Sequence, residues 1–256
     1  MRTVNVTRYV MPLREGGSLP AIVEADDDGL YVLKFRGAGQ GPRALVAELL
    51  AGELARLLGL AVPELVFVEL DEDLARTEPD PEIQELIRAS GGLNLALDYL
   101  PGSVTYDPVA DRLDDRLASE VVWFDAFVSN VDRTARNTNL LMWHRRLWLI
   151  DHGACLYFHH GTPSADFVAR ADDGFGRIEE HVLLPGASAL HDADASAVAR
   201  LTPAAIRDIV ALVPDGWLPH DGAEAERRAY AAYLIARVQG PRSFVEEAIR
   251  ARLPRV

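Results

Sequence analysis

The amino-acid sequence predicts a two-lobed α+β fold, in which a small strand-rich lobe with one prominent helix precedes a larger, mainly helical lobe. Short apolar runs separated by turn residues dominate the chain up to about residue 100, and apolar residues at helical spacing dominate it afterwards. The 256 residues are also enough to bury a substantial core. We therefore expect residues 1–97 to form the first lobe and residues 98–256 to form the second.

The first lobe begins with a predicted hairpin. Arg8 to Leu13 and Ala21 to Val23 are candidate strands, joined by a flexible turn at Glu15-Gly16-Gly17-Ser18. A third strand, Leu30 to Phe35, contains Lys34 among apolar neighbours. Lysines are common on the edges of sheets, where they discourage pairing. The apolar residues on both sides of Lys34 favour a buried ammonium group that has an ionic partner.

A helix from Arg43 to Leu58 is the prominent helix of this lobe. Its leucines keep helical spacing, and Gly59 is a typical residue just past a helix end. Two further strands, over 62–70 and 93–100, and a short helix over 81–89 complete the predicted lobe.

The second lobe is predicted to be helical with a single irregular interruption. Helices are expected over 113–128, 203–213, 222–239 and 242–252, and Thr202-Pro203 is a typical helix start. Between the first two helices, 140–143 and 147–150 form a candidate hairpin that follows a polar stretch beginning at Asn130.

Composition and charge exclude several classes of partner. Lys and Arg number 26 against 39 Asp and Glu, so the net charge is −13 and phosphate backbones and anionic lipids would repel the chain. No apolar run reaches the length that spans a bilayer, the N-terminus does not look like a signal peptide, and Cys155 is the single cysteine. We expect a soluble cytoplasmic protein with no nucleic-acid or membrane partner.

The residues around the second-lobe hairpin are the strongest candidates for chemistry. Asp132 and Asn137 precede the hairpin, and Asp151 directly follows its second strand. One carboxylate could orient a nucleophile, while an amide oxygen and a second carboxylate are hard ligands suited to Mg²⁺. Asp and Asn also close turns by bonding their own backbone, and this reading stays open for the loop taken alone.

The segments NVDRTARN (130–137) and LIDHG (149–153) resemble the catalytic and metal-binding loops of kinases. They are most similar to HipA-like kinases within the protein kinase-like and phosphatidylinositol kinase-like superfamily, which have Asn-x-Asp where eukaryotic-type kinases have His-Arg-Asp. The resemblance implies a protein kinase-like fold that uses ATP and Mg²⁺. On that match Asp132 is the catalytic aspartate, Asn137 and Asp151 are the metal ligands, and Arg136 offsets charge on the transferred group.

The resemblance extends into the first lobe. Lys34 matches the lysine that holds the phosphates of ATP, and Glu48 matches its ion-pair partner in the following helix. Glu53 is the alternative partner. Glu48 is preferred because the helix continues from it into GLAVP (59–63), which matches the family's helix exit.

The rest of the implied ATP site lies in a loop and a hinge. Gly16-Gly17-Ser18 would cover the nucleotide, although by itself it is more typical of a hairpin turn. Ser18 matches a serine that is phosphorylated in HipA kinases. The hinge, whose backbone would contact adenine, consists of Asp98, Tyr99 and Leu100.

Other functions remain open at this level. The implied acceptor is a hydroxyl group, with Ser or Thr of a protein as first choice and a small-molecule or lipid-like alcohol as second. A pseudokinase that acts by partner contact and a transferase of AMP are further alternatives. The segment GAGQGP (37–42) approaches a dinucleotide-binding fingerprint, but Pro42 replaces its third glycine. His152, His159 and His160 are interpreted as loop residues, and Cys155 as a core residue.

Overall fold

The computed structural model describes residues 1–13 and 19–253 and has the predicted two-lobed α+β architecture. The strands of the first lobe are β1 (Thr3–Pro12), β2 (Ala21–Ala25), β3 (Leu30–Lys34), β4 (Leu65–Leu70) and β5 (Gly92–Asp98). They close into a barrel with the order β1-β2-β3-β5-β4. Two helices belong to this lobe, α1 (Pro42–Leu57) and α2 (Pro81–Ala89).

The helical lobe follows the hinge after β5. It contains α3 (Asp115–Phe127), α4 (Leu190–Arg200), α5 (Pro203–Val210), α6 (Ala223–Gln239) and α7 (Ser243–Arg252). A small antiparallel sheet of β6 (Val104–Thr105), β7 (Leu140–Trp143) and β8 (Arg146–Leu149) contains the predicted hairpin. Short 3₁₀ turns occupy much of the chain between β8 and α4, including Tyr157–His160, Ser164–Arg170, Gly176–Glu180 and Leu184–Gly186.

The barrel closes through a parallel pairing that the sequence pattern did not predict. β1 begins at Thr3, five residues before the predicted start at Arg8, and Thr3 pairs with Phe67 of β4. Val4 and Val6 alternate with exposed residues and are buried. The period-2 pattern of this strand therefore begins earlier than its apolar run.

Helix α1 is packed on nearly all of its sides. Ten of its residues are buried, from Leu45 to Ala55, and the eight apolar ones other than Gly52 lie in one hydrophobic core with α3 and the outer face of β4 and β5. Pro42 stands in its first turn, and Gly59 adopts a φ of 84° just beyond its end. A helix whose apolar residues occupy most of its circumference must be covered on most sides.

The helical lobe reaches back to cover α1 and the barrel. α5 and the 3₁₀ turn Asp215–Trp217 contact α1. The indole nitrogen of Trp217 donates to Leu93 O in β5 at 3.1 Å, and the Arg200 guanidinium donates to Leu58 O at 2.5 Å. α4, which begins the covering segment, is absent from the predicted elements because its buried residues are mainly alanines. No helix in the described ranges is long and apolar enough to cross a bilayer.

Candidate active site

Lys34 lies on an interior strand of the barrel. β3 pairs with β2 on one side and β5 on the other, so Lys34 is not an edge-strand lysine. Its Nζ donates to Asp151 Oδ1 at 2.7 Å and lies 3.5 Å from Glu48 Oε2. Burial alone would lower the pKa of Lys34, but Glu48 and Asp151 outweigh burial and raise it above its ordinary value. Lys34 is therefore held as a charged ammonium group.

Glu48 links the first lobe to the metal-binding loop. Its side chain is buried, and Oε1 accepts from the backbone amide of His152 at 3.0 Å and lies 3.3 Å from His152 Nδ1. Burial would raise the pKa of Glu48, but Lys34 and His152 hold it below its usual value. Glu53, the alternative partner of Lys34, lies beside Arg56 at 3.6 Å instead. The structure thus brings Glu48, and not Glu53, to Lys34.

Asp151 occupies the turn that follows β8. Its φ is 55°, a left-handed conformation that Asp tolerates better than most residues. Its side chain is 35% exposed, so the carboxylate contacts Lys34 and is still partly accessible to a ligand. His152, the next residue, is fully buried and packs edge-on against Phe124 of α3.

Hydrogen bonds from asparagine side chains and backbone amides hold the predicted catalytic loop together. Asp132 Oδ2 accepts from Asn137 Nδ2 at 2.8 Å and from Asn139 Nδ2 at 3.1 Å. The Asp132 amide donates to Asn130 Oδ1 at 3.1 Å, and the Thr134 amide donates to Asn137 O at 2.9 Å. Because the nitrogen end of the Asn137 side chain binds Asp132, its oxygen end is the one offered to a cation.

Two backbone amides of the hinge donate hydrogen bonds to the barrel. The Asp98 amide donates to Glu64 O and the Tyr99 amide donates to Leu30 O, each at 2.9 Å. Their carbonyl groups and the backbone of Leu100 are therefore the groups through which the predicted adenine contact would form.

The remaining predicted site residues are less central. Arg136 is an exposed residue of the catalytic loop. Gly16, Gly17 and Ser18, the predicted nucleotide cover, lie outside the described residues. Asn139, whose amide contacts Asp132, belonged to the polar stretch noticed in the sequence but had no role assigned there.

Three further residues, one in the catalytic loop and two beneath it, had no role predicted from the sequence. Asp125 of α3, Arg133 and His181 form a buried cluster that holds this loop from inside the helical lobe. The sequence contained one signal for it, since Asp125 stands in the apolar run VVWFDAF (121–127) and a charge buried in such a helix requires a partner.

The histidines and the cysteine after Asp151 are interpreted as structural. His159 is buried, its Nδ1 lies 2.9 Å from the Tyr230 hydroxyl, and its Nε2 lies 3.1 Å from His160 Nε2. Burial, with smaller effects from His160 and Arg43, lowers the pKa of His159 to about 3, so it is neutral. Burial also raises the pKa of the Cys155 thiol.

The donor set suits Mg²⁺ bound together with a nucleotide. In the part of the chain that the structure describes, no three His, Cys, Asp or Glu side chains gather into a cation site. Mg²⁺ is usually held by one or two protein oxygens together with substrate phosphates. Asp151 and the amide oxygen of Asn137 are oxygen donors of this type, and the charged Lys34 beside Asp151 is suited to the phosphates.

Comparison with solved structures defines the fold of the protein. The proinflammatory kinase CtkA of Helicobacter pylori matches with a TM-score of 0.58 and 13% identity, over 99% of each chain. The Golgi casein kinase with Mn and ADP bound matches with a TM-score of 0.53 and 12% identity, over 94% of this chain and 75% of that one. At these identities the likeness concerns the fold, which is that of the kinases.

The family follows from the sequence itself. The profile of the HipA-like kinases matches residues 6–239, so the chain belongs to that family and the predicted resemblance is confirmed. The match includes both lobes and therefore extends well beyond the segments that suggested it. A comparison with curated protein sequences gave no match.

Proposed function

We propose that this HipA-like kinase transfers the γ-phosphoryl group of ATP, with Mg²⁺, to the hydroxyl group of Ser or Thr in a protein. The contact of Lys34 with both Glu48 and Asp151 carries the proposal, because three separate elements bring these charges together. Burying charges is costly unless they are paired, so a buried, paired arrangement of this kind marks a functional site.

Each side chain has a role that its contacts support. Lys34, kept charged and oriented by Glu48, binds the phosphates. Asp151 and the Asn137 oxygen would hold Mg²⁺, which would neutralise charge on the phosphates. Both amide hydrogen bonds to Asp132 fall on Oδ2, and no described contact uses Oδ1, so Oδ1 can accept the proton of the acceptor hydroxyl.

The reaction conserves atoms and charge. The bond between the γ-phosphorus and the bridging oxygen of ADP breaks, while a bond from the acceptor oxygen to that phosphorus forms. The acceptor proton passes to Asp132. Arg136, an exposed residue of the same loop, would offset charge on the transferred group.

Family membership supports the choice of a protein acceptor, and a neighbouring structure is named for a protein, casein. The net charge of −13 and the absence of a membrane-spanning helix in the described ranges support a cytoplasmic enzyme. The same charge supports a partner other than nucleic acid or membrane.

The test is phosphate transfer by the purified chain. The chain is incubated with Mg-ATP and casein, and the gain of phosphate is measured from the intact masses of both proteins. Asp132→Asn should lower transfer by about 10²- to 10⁴-fold, the usual contribution of a general base, and should leave nucleotide binding intact. Asp166→Asn, a change at an exposed aspartate in a 3₁₀ turn, is the matched control and should retain full activity.

The other functions give different results. Addition of AMP mass would identify an AMP transferase, and stabilisation by Mg-ATP without any product would identify a pseudokinase. Equal transfer by the wild type and by Asp132→Asn would refute the role of Asp132, and failure to bind ATP would refute the function.

A further inference from the structure

A buried carboxylate beneath the catalytic loop is fully occupied by donors. Asp125 Oδ2 accepts from Arg133 Nε at 2.6 Å and from His181 Nε2 at 2.8 Å, and Oδ1 accepts from Asn130 Nδ2 at 2.8 Å. The side chains of both Asp125 and Arg133 are 0% exposed. Burial alone would raise the pKa of Asp125, but Arg133 and His181 hold it below its usual value.

The hydrogen bonds of His181 define its tautomer. The amide of Leu183 donates to His181 Nδ1 at 3.0 Å, so Nδ1 is an acceptor and carries no proton. Nε2 must then carry the proton that binds Asp125. The cluster therefore contains one negative charge on Asp125 and one positive charge on Arg133, and His181 supports the carboxylate without adding charge.

The Arg133 guanidinium also contacts the backbone of both segments that would bind the metal ion. Its Nη1 donates to Asn139 O and lies 3.5 Å from Ile150 O. The Ile150 amide donates to the same Asn139 carbonyl at 3.1 Å. Ile150 directly precedes Asp151, and Asn139 lies two residues after Asn137. One side chain thus joins the two predicted metal-binding segments.

A second buried arginine provides a comparison. Arg237 of α6 is also almost fully buried, and it donates to the carbonyl oxygens of Ala126 and Phe127 at 2.9 and 2.8 Å. Its remaining bonds go to carbonyls of the segment 171–173. Arg237 therefore holds the end of α3, whereas Arg133 holds the loop that carries Asn137 and the residue that precedes Asp151.

We propose that Arg133, fixed by Asp125, is the positioning residue that sets the spacing between Asn137 and Asp151 and so determines the Mg²⁺ requirement of the enzyme. This inference rests on the proposed function. Residues just behind a metal site commonly change metal affinity by about 10- to 100-fold when they are replaced. The fork of a guanidinium can contact a carboxylate and two carbonyls together, which an ammonium group does far less well.

The experiment compares Arg133→Lys with Arg237→Lys, because both keep the charge and both replace a buried guanidinium. Arg133→Lys should raise the Mg²⁺ concentration for half-maximal transfer by at least about tenfold. It should also weaken ATP binding measured calorimetrically with Mg²⁺, while ATP binding measured with a chelator stays at the wild-type value. Arg237→Lys should lower the melting temperature and leave the Mg²⁺ requirement unchanged.

The outcomes separate this inference from the proposed function. If the wild type neither binds nor uses Mg-ATP, the proposed function is wrong and the inference is wrong with it. If the wild type is active and Arg133→Lys has the wild-type Mg²⁺ requirement, only the inference is overturned. If Arg133→Lys does not fold, His181→Gln replaces it, because His181 donates to the Asp125 carboxylate that fixes Arg133. A higher Mg²⁺ requirement of His181→Gln supports the inference, and an unchanged requirement overturns it.

Discussion

The two halves of the candidate site are built in different ways. Lys34 and Glu48 belong to a strand and a helix, and both residues are buried, at 9% and 1% exposure. Asp132, Arg136 and Asn137 belong to an irregular loop, and these three residues are half-buried or exposed. The barrel and α1 fix the first half through regular secondary structure. The second half depends on hydrogen bonds to groups beneath it, above all on the Asp125 cluster.

This contrast separates the stability of the protein from its activity. In the buried half, each charge is needed to compensate another, so removing one leaves an unpaired buried charge. In the loop half, the side chains that face the cleft can change without uncovering a buried group. Substitutions in the two halves should therefore differ more in their effect on folding than in their effect on transfer.

The largest expected effect on folding is that of Lys34→Met. The change leaves Glu48 buried without its main compensating charge, and breaking one partner of a buried ion pair costs about 3–5 kcal/mol. Urea unfolding measures the loss. The double variant Lys34→Met with Glu48→Leu is the control and should recover part of it. If Lys34→Met lowered the free energy of unfolding by less than about 1 kcal/mol, the buried charges would contribute no more to stability than an exposed ion pair does.

The pH dependence of unfolding tests whether Asp125, beneath the catalytic loop, stabilises the fold as a buried charge in the same way as Glu48. Glu48 and Asp125 have folded pKa values below their reference values of 4.5 and 3.8. Their contribution to stability is therefore present above those reference values and is lost as the pH falls through the folded values. Lys34, with a pKa raised above 10.5, loses its contribution only at higher pH.

We expect the free energy of unfolding to change little between about pH 5 and 9 and to fall by about 2 kcal/mol between pH 5 and 3. Glu48→Gln and Asp125→Asn should each flatten this acid slope, although both lower stability at neutral pH. Asp166→Asn, at an exposed site, should leave the slope unchanged. If Asp125→Asn kept the full slope, its carboxylate would not be the charge that supports the loop.

The smallest expected effect is that of Asp132→Asn on folding. The carboxylate is half-buried and contacts amide groups that the asparagine oxygen can still accept from, so the free energy of unfolding should change by no more than about 0.5 kcal/mol. Thermal or urea unfolding beside the transfer assay gives both values on one sample. A loss of several kcal/mol would place Asp132 among the structural residues of the protein.

Much of this arrangement could be predicted from local patterns. The long helix, the hairpin before Asp151 and the lysine in an apolar strand each follow from spacing within a few residues. A short exit motif favours Glu48 over Glu53 as the partner of Lys34, and the structure places Glu48 beside Lys34. The assigned roles of these residues remain predictions.

What the sequence did not predict depends on distant contacts. The early start of β1 reflects pairing with β4, more than 60 residues away in the chain. The role of Arg133 depends on Asp125 and His181, which no spacing rule connects to it. α4 was missed because its buried stripe contains Ala193 and Ala197, which are too small to stand out as an apolar pattern.

Packing of α1 between the barrel and the helical lobe limits how far this helix can move. With the barrel on one side and the helical lobe on the other, α1 cannot swing outward without uncovering residues such as Leu49, Leu50 and Leu54, all 0% exposed. Each leucine would cost about 1.5–3 kcal/mol to expose. Displacing this helix would therefore cost several kcal/mol, so we expect α1 to keep one position against the barrel in both the free and the ligand-bound protein.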